Sequence, residues 1–263
     1  MVMRKDMSNE AYHLDPAISS SDVKTVSSKS LAHWKGQERK ESAAFDLGSA
    51  VHAHLLEPEK NLVRCGPETR RGKEWKQAKE DADKAGAVLL PEAEYKQSID
   101  MAQSVLQHNV AHHLLTHSDL IAEASFFVTD PDLDLPLKTR PDGLLVKQSM
   151  AIDIKTCVDA SPKGFDRAVR NFGYDIQAAF YLHCLNLEGL RIKQFMFICV
   201  EKEKPYAVCV HEMSEMYLRH AHNRMMETLY TIKHATDNEE YDTGWDEINT
   251  IHLPDWMNAS GAF

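Results

Sequence analysis

The sequence predicts an α/β protein (α+β, with a mixed sheet) whose central sheet is flanked by helices and preceded by a helical N-terminal region. Three observations predict it. Helical apolar spacing dominates the first 120 residues, strand-like runs with one helix among them fill 121–213, and a long amphipathic stretch follows. With no internal repeat and no obvious linker, the 263 residues read as a single domain in three parts: 1–120 mainly helical, 121–213 the sheet core, and 214–263 a helix with an acidic tail.

The elements follow in order. SSSD at 19–22 and SSKS at 27–30 are N-cap signals, which predict short helices at the start. Apolar positions between 43 and 56 predict a helix that carries His52 and stops at Pro58. Residues 64–90 are highly charged and helical in character without a strong apolar stripe, so they predict an exposed or mobile segment. From 91 to 117, Tyr95, Ile99, Ala102, Leu106 and Val110 recur at helical spacing behind Pro91. Strands are predicted at 123–129, 137–147 and 150–156, joined by connections short enough for antiparallel hairpins. A helix follows from 175 to 187, ended by Gly189, then strands at 194–201 and 206–213. The last helix runs from 214 to about 235 with Leu218, Ala221, Met225, Leu229 and Ile232 on one face.

Composition narrows the function classes. The chain is 43% hydrophobic, enough for a packed core, and it lacks both an apolar signal segment and a run of about 18 apolar residues; a cytoplasmic protein without membrane attachment is expected. Five scattered cysteines, with no CxxC pair, predict neither a disulfide framework nor a zinc ribbon. A formal charge of −10 argues against a broad nucleic-acid-binding coat. The charge is unevenly spread, however: residues 237–255 hold seven acidic side chains and no Lys or Arg, while Arg64, Arg70, Arg71, Lys73, Lys76 and Lys79 cluster elsewhere.

The chemistry is concentrated in TRPDGLLVKQSMAIDIKT. Asp153 and Lys155 are two apart on one predicted strand, so they share a face while Ile154 points to the core. Asp142 lies beside the preceding strand. Two carboxylates on neighbouring strands can hold a hard divalent cation through oxygen, and a lysine beside them can orient or deprotonate water and offset phosphate charge. A Pro-Asp-Gly turn next to a solvent-facing ion pair would use the same letters, but the apolar setting of MAIDIKT favours a buried, functional pair.

In order along the chain stand Gly48 and His52, Asp142, Asp153 with Lys155, and Gln177 with Tyr181. This series resembles the RecB-like branch of the PD-(D/E)XK nucleases, with its G-x-x-x-H, central Asp, D-x-K and Q-x-x-x-Y. The resemblance implies a restriction-endonuclease-like core and a Mg2+ site, with Mn2+ able to substitute, formed by His52, Asp142, Asp153 and the Ile154 carbonyl. It also places Gln177 and Tyr181 near that site and gives Glu123 an assisting role. Periodicity alone leaves His52 as a core histidine, Gln177 and Tyr181 as the border of a packed face, and Glu123 as a solvated strand end.

The likeness extends over essentially the whole chain to phage recombination exonucleases. It implies degradation of the 5′-ended strand of linear double-stranded DNA, a 3′ single strand left for a RecT-type annealing protein, and a ring-forming homo-oligomer. An endonuclease of the same fold and a catalytically silent DNA-end-binding module are the alternatives. Some RecB-like nucleases carry an iron–sulfur cluster, but this chain has no cysteine after 209 and no closely spaced trio, so no cluster is expected. For DNA contact the sequence offers Arg70, Arg71, Lys73 and Trp75, where base stacking and phosphate contact could combine, and Lys163, Arg167 and Arg170 at helical spacing.

Overall fold

The computed structural model describes residues 3–4, 7–37 and 43–253, so the end of the acidic tail lies outside the described residues. Strand β1 (Met3–Arg4) is followed by three short helices, α1 (Asn9–Leu14), α2 (Ser20–Ser28) and α3 (Leu31–Lys35). The Ser-rich motifs act as expected: Ser19 and Asp22 form a capping box on α2, and Ser30 caps α3 through the His33 amide. Helix α4 (Ala43–Leu56) matches its predicted span.

The charged segment 64–90 is more ordered than expected. Strand β2 (Val63–Gly66), helix α5 (Gly72–Lys84) and strand β3 (Val88–Pro91) form a small unit in which β2 and β3 pair in parallel. Trp75 and Ala82 on α5 pack against Ala87 and Leu89, so a thin apolar face was present within the charged stretch. The predicted helix 91–117 is two helices, α6 (Glu92–Gln107) and α7 (Asn109–Leu115). His108 takes an extended conformation between them, and its ring accepts the Ala111 amide as the cap of α7.

The strand region also divides differently. Strands β4 (Ile121–Ala122) and β5 (Ser125–Asp130) flank Glu123, whose φ of 49° lies in the left-handed region. Strand β6 (Leu135–Thr139) pairs with β5 as the predicted hairpin, in a three-stranded antiparallel sheet ordered β1-β5-β6. The expected single strand 137–147 breaks after Thr139 because Pro141 cannot donate to a ladder. Beyond it, β7 (Gly143–Leu145) belongs to a second sheet, antiparallel to β8 (Met150–Cys157).

Helices α8 (Pro162–Phe172) and α9 (Tyr174–Leu187) cross from β8 to β9 (Gln194–Glu201), which is parallel to β8. Strand β10 (Val208–Glu212) closes the sheet antiparallel to β9, and α10 (Glu215–Asn238) ends the described fold. The second sheet has the order β10-β9-β8-β7-β4 and is mixed, as predicted. Helix α8 accounts for the helical spacing of Lys163, Arg167 and Arg170, a stretch for which the sequence bounds no element, and left-handed Gly173 separates it from α9.

Alternation along β8 divides the core. Ile152 and Ile154 face Val51, Leu55, Met101 and Val105 of α4 and α6, whereas Ala151 shares the opposite face with Phe195, Phe197, Phe165 and Ala178 under α8 and α9. A third cluster joins Val23 of α2 to Phe180 of α9 and Met225 and Leu229 of α10. The N-terminal segment is tied to this frame by backbone bonds between Ile18 and β6, from Ile18 N to Pro136 O at 2.9 Å and from Lys138 N to Ile18 O at 2.8 Å. Among the described residues, no helix is long and apolar enough to cross a membrane.

Candidate active site

The site arises where β7 leaves β8. Gly143 is the last β7 residue paired in this direction, opposite Ile152, and the chain then turns away through Asp142 and Pro141. The edge of β8 beyond Ile152 is thereby opened at Ile154. The Asp142 side chain takes over the missing strand's role, its Oδ2 accepting the Ile154 N–H at 2.6 Å. The Ile154 carbonyl meets His52 Nε2 at 3.0 Å, and His52 Nδ1 lies 3.5 Å from Asp142 Oδ2. One residue of α4 and one connector residue thus complete an interrupted strand edge.

On the α9 face of β8, Asp153 and Lys155 stand side by side, as the spacing of two predicts. Lys155 Nζ is 2.6 Å from Asp153 Oδ2, and Gln177 Nε2 donates to Asp153 Oδ1 at 2.7 Å and to the Tyr181 hydroxyl at 3.2 Å. The Lys155 ammonium sits 4.8 Å from the centre of the Tyr174 ring. Lys155 is thus the charged partner of Asp153 Oδ2, and Gln177 Oε1 is a buried oxygen without a hydrogen-bond partner.

The charges are strongly coupled. Burial alone would depress the His52 imidazole, but Asp142, followed by Glu123 and Asp153, outweighs it and lifts His52 to about 9. Both ring nitrogens then donate, one to Ile154 O and one toward Asp142, and a cation that takes His52 as a ligand displaces one of these protons. Burial raises Glu123 to about 7, with Asp142 adding to the effect and His52 and Arg140 opposing it. Burial also opposes ionisation of Asp142, yet His52 and Lys155 hold its carboxyl below the usual range. Asp153 is shifted up, by burial first and by Asp142 against the pull of Lys155. Lys155 overcomes its burial through Asp153 and Asp142 and is held above the ordinary lysine value.

These residues fit a divalent cation. Ligand atoms of His52, Glu123 and Asp142 lie within 4.8 Å of one another. The set is mainly oxygen with one imidazole, which suits a hard or borderline divalent cation rather than a thiophilic one.

The structure therefore brings together Asp142, Asp153, Ile154, Lys155, Gln177, Tyr181, His52 and Glu123. The proposed DNA contacts fare unevenly. Arg70 is bound to Asp46 at 2.9 Å and to Glu94, and Trp75 is buried at 9% exposure, so the ring is packed inside the protein and is not offered for base stacking. Arg71 and Lys73 remain exposed at the start of α5. Lys163, Arg167 and Arg170 form the exposed face of α8, while Phe165 on its inner face stacks on Tyr174 at 5.8 Å. Three side chains near the site were missed: Tyr174; Arg140, one of the groups acting on Glu123; and Lys24 on α2. No spacing rule links Lys24 to Lys155 across 131 positions; only packing of α2 on α9 does.

Fold and site together define a PD-(D/E)XK-type protein, a class that points to a nuclease. The chain belongs to the family described as "PDDEXK-like domain of unknown function (DUF3799)", matched over residues 19–253. No curated protein matches it. Among solved structures, a Eubacterium rectale protein called "Putative exonuclease" is similar over 98% of this chain and 99% of its own, with 16% identity and a TM-score of 0.63, a likeness of fold. A phage related exonuclease from Haemophilus somnus 129PT shares 9% identity over 85% of this chain and 96% of its own, and its TM-score of 0.39 carries no argument.

Proposed function

We propose that this chain is a Mg2+-dependent exodeoxyribonuclease that degrades the 5′-ended strand of linear double-stranded DNA and leaves a 3′ single strand for a RecT-type annealing protein. The observation that carries the hydrolytic reading is Asp142 on the opened edge of β8, its Oδ2 on the Ile154 amide at 2.6 Å, beside Asp153 and Lys155 paired on the adjoining face of the same strand. The finer reading of polarity and partner, and of a ring-forming homo-oligomer, rests on the resemblance of the sequence to the C-terminal nuclease domain of exodeoxyribonuclease VIII, the RecE protein.

In this reading Asp142, Asp153, the Ile154 carbonyl and His52, once its imidazole has given up a proton to solvent, would hold the cation, which when bound would lower the pKa of its water and neutralise phosphate charge. Lys155 holds the attacking water and faces the charge that develops on the phosphate. Gln177 fixes the rotamer of Asp153, and Tyr181 fixes Gln177. Glu123 is poised near neutrality beside Asp142 and accepts a proton released nearby.

The test is digestion of duplex DNA labelled at its 5′ or 3′ ends, with and without Mg2+, beside a covalently closed duplex of the same sequence. The expected result is metal-dependent release of 5′ label from linear DNA with the closed circle left intact. Cleavage of the circle would make the chain an endonuclease, and inertness on both would leave a DNA-end-binding module.

A further inference from the structure

Lys155 is not alone at this site. Helix α2 carries Lys24 to the same aromatic ring: Lys24 Nζ lies 5.8 Å from the centre of Tyr174, on which Lys155 Nζ also sits at 4.8 Å. The stem of Lys24 runs over Gly173, the left-handed residue between α8 and α9. A side chain at Gly173 would place its Cβ 3.1 Å from Lys24 Cγ and 3.2 Å from Cδ. α2 is itself fixed by its capping box and by the Trp34 indole donating to Asp22 at 3.0 Å. Lys24 is thus a half-buried ammonium on an anchored helix, with a packed stem that limits where its head can go.

Among the described residues, no carboxylate lies within ion-pair distance of Lys24. The carboxylate that acts on it is Asp153, whose two oxygens already face Lys155 and Gln177. Burial, and then the Lys155 ammonium, depress Lys24 to about 8. Two ammonium groups share one aromatic ring and one committed carboxylate, which is the arrangement of an anion site.

We infer that Lys24 holds a phosphate of the bound DNA strand, beside the phosphate that Lys155 faces. This rests on the nuclease reading above, and it assigns to α2 a role in placing the strand. The phosphate is either an internal diester or the terminal monoester at a 5′ end, and both present the same anionic oxygens. Because the contact exists before and during the reaction, its loss should raise KM and leave kcat nearly unchanged.

Lys24→Met keeps the stem over Gly173, and Lys24→Arg restores the charge. Both are compared with the wild-type protein on linear duplexes carrying a 5′-phosphate or a 5′-hydroxyl, with melting temperature as the control for folding. Binding is measured across a salt series in Ca2+, in place of Mg2+. For Lys24→Met the expected result is a Kd and KM raised roughly ten- to a hundred-fold, the scale of one charged hydrogen bond. Its log-log salt slope should be shallower by up to about 0.9. Lys24→Arg should recover most of the loss. A defect on both duplexes assigns an internal diester, and a defect confined to the 5′-phosphorylated duplex assigns the terminal monoester. Unchanged Kd and salt slope in Lys24→Met would overturn the inference, as would a lowered melting temperature that Lys24→Arg shares. A wild-type protein that cleaves neither duplex would defeat the nuclease reading, while the Ca2+ binding series would still report on Lys24.

Discussion

Gln177 Nε2 donates to Asp153 Oδ1 at 2.7 Å, joining α9 to β8 through a buried carboxylate. Asp153 is 2% exposed, so a missing donor cannot be replaced by bulk water. Gln177→Ala should lower stability by about 1–3 kcal/mol, the scale for a buried acceptor left unsatisfied. It should also lower kcat/KM, because the Asp153 rotamer is no longer fixed. Chemical denaturation and steady-state hydrolysis measure the two effects. If neither the denaturation midpoint nor kcat/KM moves, Gln177 does not position Asp153.

Asp153→Asn preserves the shape of the side chain and its contact with Gln177 while removing the charge that faces Lys155. Cleavage should be abolished with the fold intact, as read by circular dichroism. Lys155→Ala should reduce kcat on the order of 10²–10³-fold, the range seen when one preorganised donor to a developing oxyanion is lost, with metal affinity spared. Loss of metal binding without a specific rate defect would make Lys155 a structural partner of Asp153 instead.

His52 donates to the Ile154 carbonyl and toward Asp142, yet imidazole nitrogen is a better ligand for Mn2+ than for Mg2+. Removing one ligand should be felt most by the ion with the stricter octahedral demand. His52→Ala is therefore expected to lower the rate more in Mg2+ than in Mn2+. Equal, mild losses in the two metals would leave His52 as a packing residue that closes the β8 edge.

Much of this was legible in the sequence because it is local. The two-residue spacing of Asp153 and Lys155 places them on one strand face, and the four-residue spacing of Gln177 and Tyr181 lets them hydrogen-bond on one helix face. The break at Pro141 was written in the chain as well, but its consequence was not. That β7 would leave β8 and open Ile154 to Asp142 and His52 depends on the pairing of two sheets. Glu123 resembled a solvated strand end because its neighbours in sequence do not include Asp142, to whose carbonyl its own backbone amide bonds at 3.2 Å. The charged run around Arg70 and Trp75 looked like a DNA-binding face because composition does not reveal that Asp46 and Glu94 come from other helices to meet Arg70.

If the proposed nuclease function holds, that last point bears on where an acidic protein would grip DNA. Arg70 is held by two carboxylates and by contact with the Trp75 ring, so Arg70→Ala should act on the packing of the small β2-α5-β3 unit. Lys163, Arg167 and Arg170 are exposed on α8, one ring stack away from Tyr174, and the pairs Arg167–Asp159 and Arg170–Asp166 are surface ion pairs that hold their partners weakly. Substituting these three residues by Ala should weaken binding to duplex ends and flatten the salt dependence, each lost phosphate contact removing up to about 0.9 from the log-log slope. Turnover of DNA already bound should change far less. The measurement is a salt series in Ca2+ for the α8 triple variant beside Arg71→Ala with Lys73→Ala. A slope that falls only in the second variant would return the DNA path to the start of α5, and a slope unchanged in both would remove these two faces from it.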